Sequence, residues 1–334
     1  MNTLKIAIID SGIDIEDENI LGEYTIDTRL QLGKGCIDDE QGHGTFVLKS
    51  MCSCLGTNKE NVQIYPIKIF DNKYYTDVEK LLYVLEKLIY TDINIINLSC
   101  SYEGFDSIEL EILINKLVKN GKILVMSKNN DYNYFDIKNN YSDVILVEGD
   151  NTITNDSIIK IDSYVKANGN MYIYRYKNRF DFFGKNSRAC SIVSAYISNM
   201  IVEKNLNLHN LKKELIINDE TIKNRYIIGC NNVVNRNSDI IGDFNNNYKN
   251  EISHELVSVI NTFSDNNISK AFINKYGIRN NITGIGMHNY IDFIGRIEEI
   301  FNINILYEGM PFSSISSFSS IEKIILETLC KRRE

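Results

Sequence analysis

No apolar run in this chain approaches the roughly 18 residues that a membrane-spanning helix requires, so no segment reads as a span. Runs of basic residues are missing as well. The 36 lysines and arginines are outnumbered by 44 acidic residues, the formal net charge is -8, and neither nucleic acid nor an anionic membrane is expected as a main partner. The cysteines lack a framework: there are seven, an odd number, and only Cys52 and Cys54 stand close together. No second Cys/His pair has zinc-like spacing, which argues against both a secreted disulfide scaffold and a metal site. The opening Met1-Asn2-Thr3-Leu4-Lys5 passes directly into a strand-like run without a secretory signal, so a cytoplasmic protein with reduced thiols is expected. Internal repeats are absent, and the only compositional bias is an Asn-rich background.

What is present is enough for a sizeable core. With 334 residues, 43% hydrophobic and 24% charged, the chain can bury one large core or one large and one small. Runs rich in Ile and Val predict strands over 5–9, 63–70, 93–98, 122–127 and 144–147, and longer segments of helical period predict helices over 44–54, 77–90, 106–120 and 187–204. Such alternation predicts an α/β fold with a doubly wound parallel sheet, in which ligands bind beyond the carboxyl ends of the strands. The polar, turn-forming run 243–250 reads as a linker between a domain over 1–242 and a small helical domain over 251–334. In that second domain, helical spacing predicts helices over 251–263, 290–301 and 321–329.

Three short stretches carry chemistry. Ile8-Ile9-Asp10-Ser11-Gly12 places a carboxylate at the end of the first strand, where it can orient a histidine. Gly42-His43-Gly44-Thr45 sets an imidazole between two glycines at a helix start, and imidazole is the usual general base for a serine hydroxyl. Only four histidines occur, and the other three, His209, His254 and His288, lack flanking glycines on both sides and read as packing or surface residues. In Asn186-Ser187-Arg188-Ala189 a serine opens an apolar-faced helix, either as an N-cap or as a nucleophile whose developing charge the helix dipole and first amides favour. Each stretch taken alone has an ordinary structural explanation as a turn, a helix start or a cap.

Taken together, in the order Asp, His, Ser, the stretches resemble the subtilisin-like serine proteases, the subtilases, over about residues 4–240. Asp10-Ser11-Gly12 meets the family's Asp-Ser/Thr-Gly pattern, and Gly42 to Thr45 meets its Gly-His-Gly-Thr without change. The resemblance implies a three-layer α/β/α domain and a catalytic set of Asp10, His43 and Ser187. It further implies an oxyanion donor, best matched by Asn129, with Asn130 as a near alternative and Lys128 where the family has glycine. Ser99-Cys100-Ser101, after the strand ending Ile96-Asn97-Leu98, is similar to the family's substrate-binding edge, where an extended peptide adds as a strand; Tyr102 and Glu103 read as a solvated loop. The serine motif departs from the family's Gly-Thr-Ser-Met-Ala-Ala-Pro. Lys185-Asn186-Ser187-Arg188-Ala189-Cys190-Ser191 keeps the serine and first alanine but lacks the glycine, threonine and proline, and Gly184 lies one residue early.

Residues 272–305 resemble, more faintly, an acyl or peptidyl carrier domain, but no serine occurs between Ser269 and Ser313 to take phosphopantetheine, and one register puts Met287 near that position. A degenerate docking module and an unrelated helical bundle are the two readings left open. No cofactor, no metal and no EF-hand-type calcium loop is expected. The functional expectation is an intracellular serine endopeptidase that cleaves a dedicated peptide or protein through an acyl-enzyme, with a docking partner for the C-terminal domain. The alternatives are a catalytically weak pseudoprotease acting as a binding module, and transacylation by the same acyl-enzyme.

Overall fold

The Ile- and Val-rich runs form strands because branched side chains fit a pleat buried on both faces. The computed structural model describes residues 3–16, 25–26, 37–71, 76–99, 108–129, 144–153, 158–161, 164–177, 179–204, 246–286, 288–305 and 309–331. These divide into two units: one holds the residues up to Met171 and from Phe183 to Cys230, the other Tyr172–Phe182 and Asn231–Glu334.

In the first unit, β1 (Leu4–Asp10), β2 (Thr25–Ile26), β3 (Val62–Lys68), β4 (Ile95–Leu98), β5 (Ile123–Ser127), β6 (Ile145–Asp150), β7 (Ile158–Ile161) and β8 (Tyr164–Asn168) make an eight-stranded sheet. Its order is β2-β3-β1-β4-β5-β6-β8-β7, parallel except for β7, which pairs antiparallel to β8 at the edge. Helices cover both faces, giving the three-layer α/β arrangement. Ala7 and Ile9 of β1 pack with Leu81, Leu85 and Leu88 of α2 (Val78–Ile89), and Leu124 and Met126 of β5 join Leu110, Ile114 and Leu117 of α3 (Ile108–Lys119) in the same cluster. On the other face α1 (His43–Leu55) packs against β1 and α4 (Lys185–Lys204) against β4, β5, β6 and β8. Each fully buried Leu or Ile of these layers contributes about 1.5–3 kcal/mol. Among the described residues, no helix is long and apolar enough to cross a membrane.

Boundaries shift at the functional ends. The helix carrying Ser187 starts at Lys185, so the serine is its third residue and not its opening one. The segment 172–183, between β8 and that helix, forms a hairpin of β9 (Tyr172–Tyr176) and β10 (Arg179–Phe183), turning at Lys177 with φ +50°.

The second unit is not purely helical. β9 and β10 join β11 (Met310–Pro311) in a three-stranded sheet. With it are α5 (Asn246–Asn261), α6 (Lys270–Tyr276), α7 (Tyr290–Phe301) and α8 (Phe318–Lys331), which share a core including Leu256, Phe293, Ile297, Ile321 and Ile325. α5 begins inside the run expected to be a linker, and residues 243–245 of that run lie outside the described residues. Ser269 caps α6 by accepting from the Phe272 amide at 3.2 Å.

Candidate active site

Four neighbouring strands deliver their carboxyl ends to one place. Ile9 pairs with Leu98 and Leu98 with Met126, so one step further along β1, β4 and β5 stand Asp10, Ser99 and Ser127, about 4.8 Å apart from strand to strand. On β6 Val147 pairs with Ser127, and Gly149 stands two residues further along that strand.

Glycine makes the first junction possible. Gly42, at φ +99°, caps α1, and a Cβ on Gly44 would stand 2.1 Å from the Gly12 carbonyl oxygen and 3.2 Å from the Asp10 Cβ. The helix start can therefore press against the turn after β1 only with no side chain at position 44. The Gly44 amide donates to the Ser11 hydroxyl at 2.9 Å. Behind this contact the fully buried Asp39 carboxylate accepts from the Gln41, Gly42 and Thr45 amides at 3.0, 2.8 and 2.9 Å and from the Thr45 hydroxyl at 2.7 Å. It thereby accepts from the Gly42 and Thr45 amides at the N-terminus of α1, where the helix dipole favours an acidic side chain.

The result is an Asp–His pair. His43 Nδ1 lies 2.7 Å from Asp10 Oδ1, with the carboxylate side chain 1% and the imidazole 26% exposed. Asp10 Oδ1 also accepts from the Ser11 amide at 2.8 Å, which fixes the carboxylate plane. A carboxylate on Nδ1 sets the tautomer that leaves Nε2 able to accept a proton. On its other side the imidazole meets the Phe183 ring edge-on at 5.3 Å between centroids.

Phe183 stands four residues before Ser187, whose hydroxyl donates to the Ser99 carbonyl at 2.9 Å. Ser99 Oγ in turn donates to the Ser187 carbonyl at 3.3 Å and accepts from the Asn97 side-chain amide at 2.8 Å. Ser99 is thus buried against α4, and β4 is paired on both sides, by β1 and β5. Cys100, Ser101, Tyr102, Glu103 and Asn130 lie outside the described residues, as do His209 and Met287.

The unusual serine motif is accommodated by its neighbours. Lys185 takes the left-handed conformation (φ +55°), and its amide donates to the Gly169 carbonyl at 2.8 Å. A Cβ on Gly149 would lie 2.6 Å from the Lys185 carbonyl group, so that glycine is what lets the turn approach β6. Asn186 spans three segments: its Nδ2 donates to the Lys128 and Asn129 carbonyls at 2.8 and 3.1 Å, and its Oδ1 accepts from the Gly149 amide at 2.7 Å. Arg188, 2% exposed, donates to the Asn168 carbonyl at 3.0 Å. One turn further, burial pushes the Cys190 thiol up to about 12, and its sulfur sits 3.5 Å from Asn97 Oδ1 and from the Val125 carbonyl.

Asp10 and His43 are therefore joined directly, the Ser187 hydroxyl is bonded to the residue that ends the neighbouring strand, and Asn129 is tied through its backbone to the residue before Ser187. Reading the sequence missed Asp39, Asn186, Gly149 and Gly169. Asp39 had a signal, an acidic residue in a turn just ahead of a helix; the others act through contacts between distant segments. Among the described residues, no group of three or more His, Cys, Asp or Glu side chains is arranged to hold a metal ion.

A half-buried Asp–His pair and a serine in a helix's first turn lie at the carboxyl edge of a parallel sheet, groups of the kind that nucleophilic chemistry at serine uses. In sequence the chain resembles the subtilisin-like serine proteases: it is 31% identical over 140 residues to the minor extracellular protease Epr of Bacillus subtilis (strain 168), a match covering 39% of this chain. The chain spans 20% of that relative's length. No family model matches. Similar solved structures include a cold adapted subtilisin-like serine proteinase, at 16% identity and TM-score 0.49 over 63% of this chain and 80% of that one. The nisin leader peptidase NisP from Lactococcus lactis is another, at 14% identity and TM-score 0.48 over 64% of this chain and 82% of that one. The fainter likeness of residues 272–305 to a carrier domain finds no support among these relatives.

Proposed function

We propose that this chain is a serine endopeptidase whose catalytic set is Asp10, His43 and Ser187. The observation that carries the reading is the half-buried 2.7 Å contact of His43 with Asp10, beside a strand end that holds the Ser187 hydroxyl. In the resting geometry that hydroxyl donates to Ser99. On substrate binding it turns to His43 Nε2, which removes its proton as Oγ attacks the scissile carbonyl carbon. The negative charge passes to the carbonyl oxygen, which the Ser187 amide and the Asn129 side-chain amide receive. Collapse of this intermediate breaks the C–N bond, and the imidazolium returns the proton to the leaving amine. Water, activated by the same imidazole, then releases the acyl group from Ser187.

The substrate class is a dedicated peptide or protein, bound beyond Leu98 with Ser99, Cys100 and Ser101 at the binding edge. A second unit with its own core is the proposed docking domain for a partner. The proposed location is the cytoplasm, supported by cysteine spacing without a disulfide framework and by Cys190 held as a thiol.

The test is labelling with a fluorophosphonate, comparing the native chain with Ser187→Ala. Strong labelling of the native chain alone is the expected result; equal, weak labelling of both chains overturns the proposal and favours a binding protein. Product masses from a mixed peptide pool distinguish hydrolysis, which adds 18 Da across the two products, from transacylation.

A further inference from the structure

The side chain before the nucleophile does more than cap a turn. Its carboxamide donates twice and accepts once, across two strand ends and the helix start, in a residue 7% exposed. Only a group with both a donor and an acceptor in one plane can satisfy the Gly149 amide and the two carbonyls together. Those carbonyls belong to Lys128 and Asn129, the segment that bears the oxyanion donor. The clamp leaves the Asn129 backbone little freedom relative to Ser187, which is adjacent in sequence to the clamp itself.

We propose that Asn186 is a positioning residue for the oxyanion site, setting the Asn129 side-chain amide at a fixed distance from the Ser187 nucleophile; this rests on the serine endopeptidase reading above. Two features support it. Gly149 and Gly169 have no side chains where the clamp needs space, since a Cβ on Gly169 would lie 2.8 Å from the Gly149 backbone. Lys185 also holds φ +55°, a left-handed conformation unfavourable for a non-glycine residue, which the Gly169 carbonyl and the Asn186 contacts offset. In this chain the nucleophile turn is shaped by side-chain bonds where a glycine would have shaped it through backbone freedom.

The test measures the inactivation rate constant and the apparent binding constant for a fluorophosphonate on the full chain and on Asn186→Ala, Asn129→Ala, the double variant and Asn186→Asp. Loss of an oxyanion donor costs about 10²- to 10³-fold, a magnitude measured in a subtilisin, and that is expected for Asn129→Ala. Asn186→Ala is expected to slow inactivation about 10- to 100-fold at unchanged binding. The double variant should fall no more than about 3-fold below Asn129→Ala, because the clamp then has no donor to place. Asn186→Asp keeps the shape and the bond from Gly149 but turns an acceptor toward two carbonyls, so it should lose at least as much as the alanine variant and covers a failure of that variant to fold. Inactivation of Asn186→Ala within 3-fold of the native rate, or a double variant whose loss is the product of the two single losses, overturns the positioning role. A native chain that does not label at Ser187 instead overturns the enzymatic reading itself.

Discussion

Adding one methyl group at Gly44 tests how closely the Asp–His pair depends on backbone contact. The alanine Cβ would stand 2.1 Å from the Gly12 carbonyl oxygen. Gly12 has no room to retreat, because the Ile37 carbonyl lies behind it, and Ile13 and Asp39 pair across the same gap at 2.9 Å. The start of α1 must therefore withdraw by about 1 Å to restore ordinary packing distance. Such a move stretches the 2.7 Å contact between His43 and Asp10 beyond hydrogen-bond range. Gly44→Ala is expected to lower the fluorophosphonate labelling rate about 100-fold and to cost about 1–3 kcal/mol of stability by overpacking. Gly121→Ala is the control: its Cβ meets nothing within 4 Å, and its φ of +78° makes alanine costly by about 1–2 kcal/mol at the start of β5, away from the site. The control should lose stability and keep its labelling rate. Labelling of Gly44→Ala within 3-fold of native, in a folded protein, refutes the reasoning.

Other perturbations bear on separate parts of the molecule. Asp39→Ala leaves four donors without their acceptor, and should destabilise the chain by about 3 kcal/mol in urea unfolding, more than the roughly 1 kcal/mol of an ordinary cap. Cys190, with its thiol pushed up to about 12 by burial, should resist iodoacetamide at pH 8.5 in the native chain and react in urea, as read by peptide mass. The unfolded thiol titrates near its ordinary 9.0 while the native one stays protonated, so this group's contribution to stability is complete below about pH 9 and is lost as pH rises toward 12; Cys190→Ala should remove that part of the alkaline slope of the urea midpoint. In the second unit Arg175 pairs with the Glu298 carboxylate, whose side chain is 2% exposed and also accepts from the Ile305 amide. Arg175→Ala should cost about 2 kcal/mol by calorimetry, below the 3–5 kcal/mol of a dry pair because the guanidinium is 36% exposed.

Much of the first unit could be read from the sequence because its signals are local. Ile6 to Ile9 are a continuous apolar run that reads as a buried strand, and glycines on both sides of His43 mark a helix start, so the strand end at Asp10 and the helix start at His43 are legible without coordinates. The hairpin of β9 and β10 was not read, although Tyr172, Tyr174 and Tyr176 alternate at strand period; its turn rests on Lys177 at φ +50°, a position usually marked by glycine or asparagine. The start of α4 was placed two residues late for a related reason. Lys185 holds φ +55°, a conformation more usual for glycine, and the bonds that permit it come from the segment after β5, from β6 and from the turn after β8, far away in the chain. Periodicity reports which face of a strand is buried, but not which distant carbonyl a side chain will reach.

An experimental structure of the phosphonylated chain tests the proposed catalytic set most directly. The expected result has phosphorus bonded to Ser187 Oγ, His43 Nε2 within about 2.6–3.2 Å of that oxygen, and the phosphonyl oxygen about 2.7–3.1 Å from both the Ser187 amide and the Asn129 side-chain amide. A phosphorus atom on another residue, or an imidazole still bound to Asp10 but out of reach of Ser187, would contradict it.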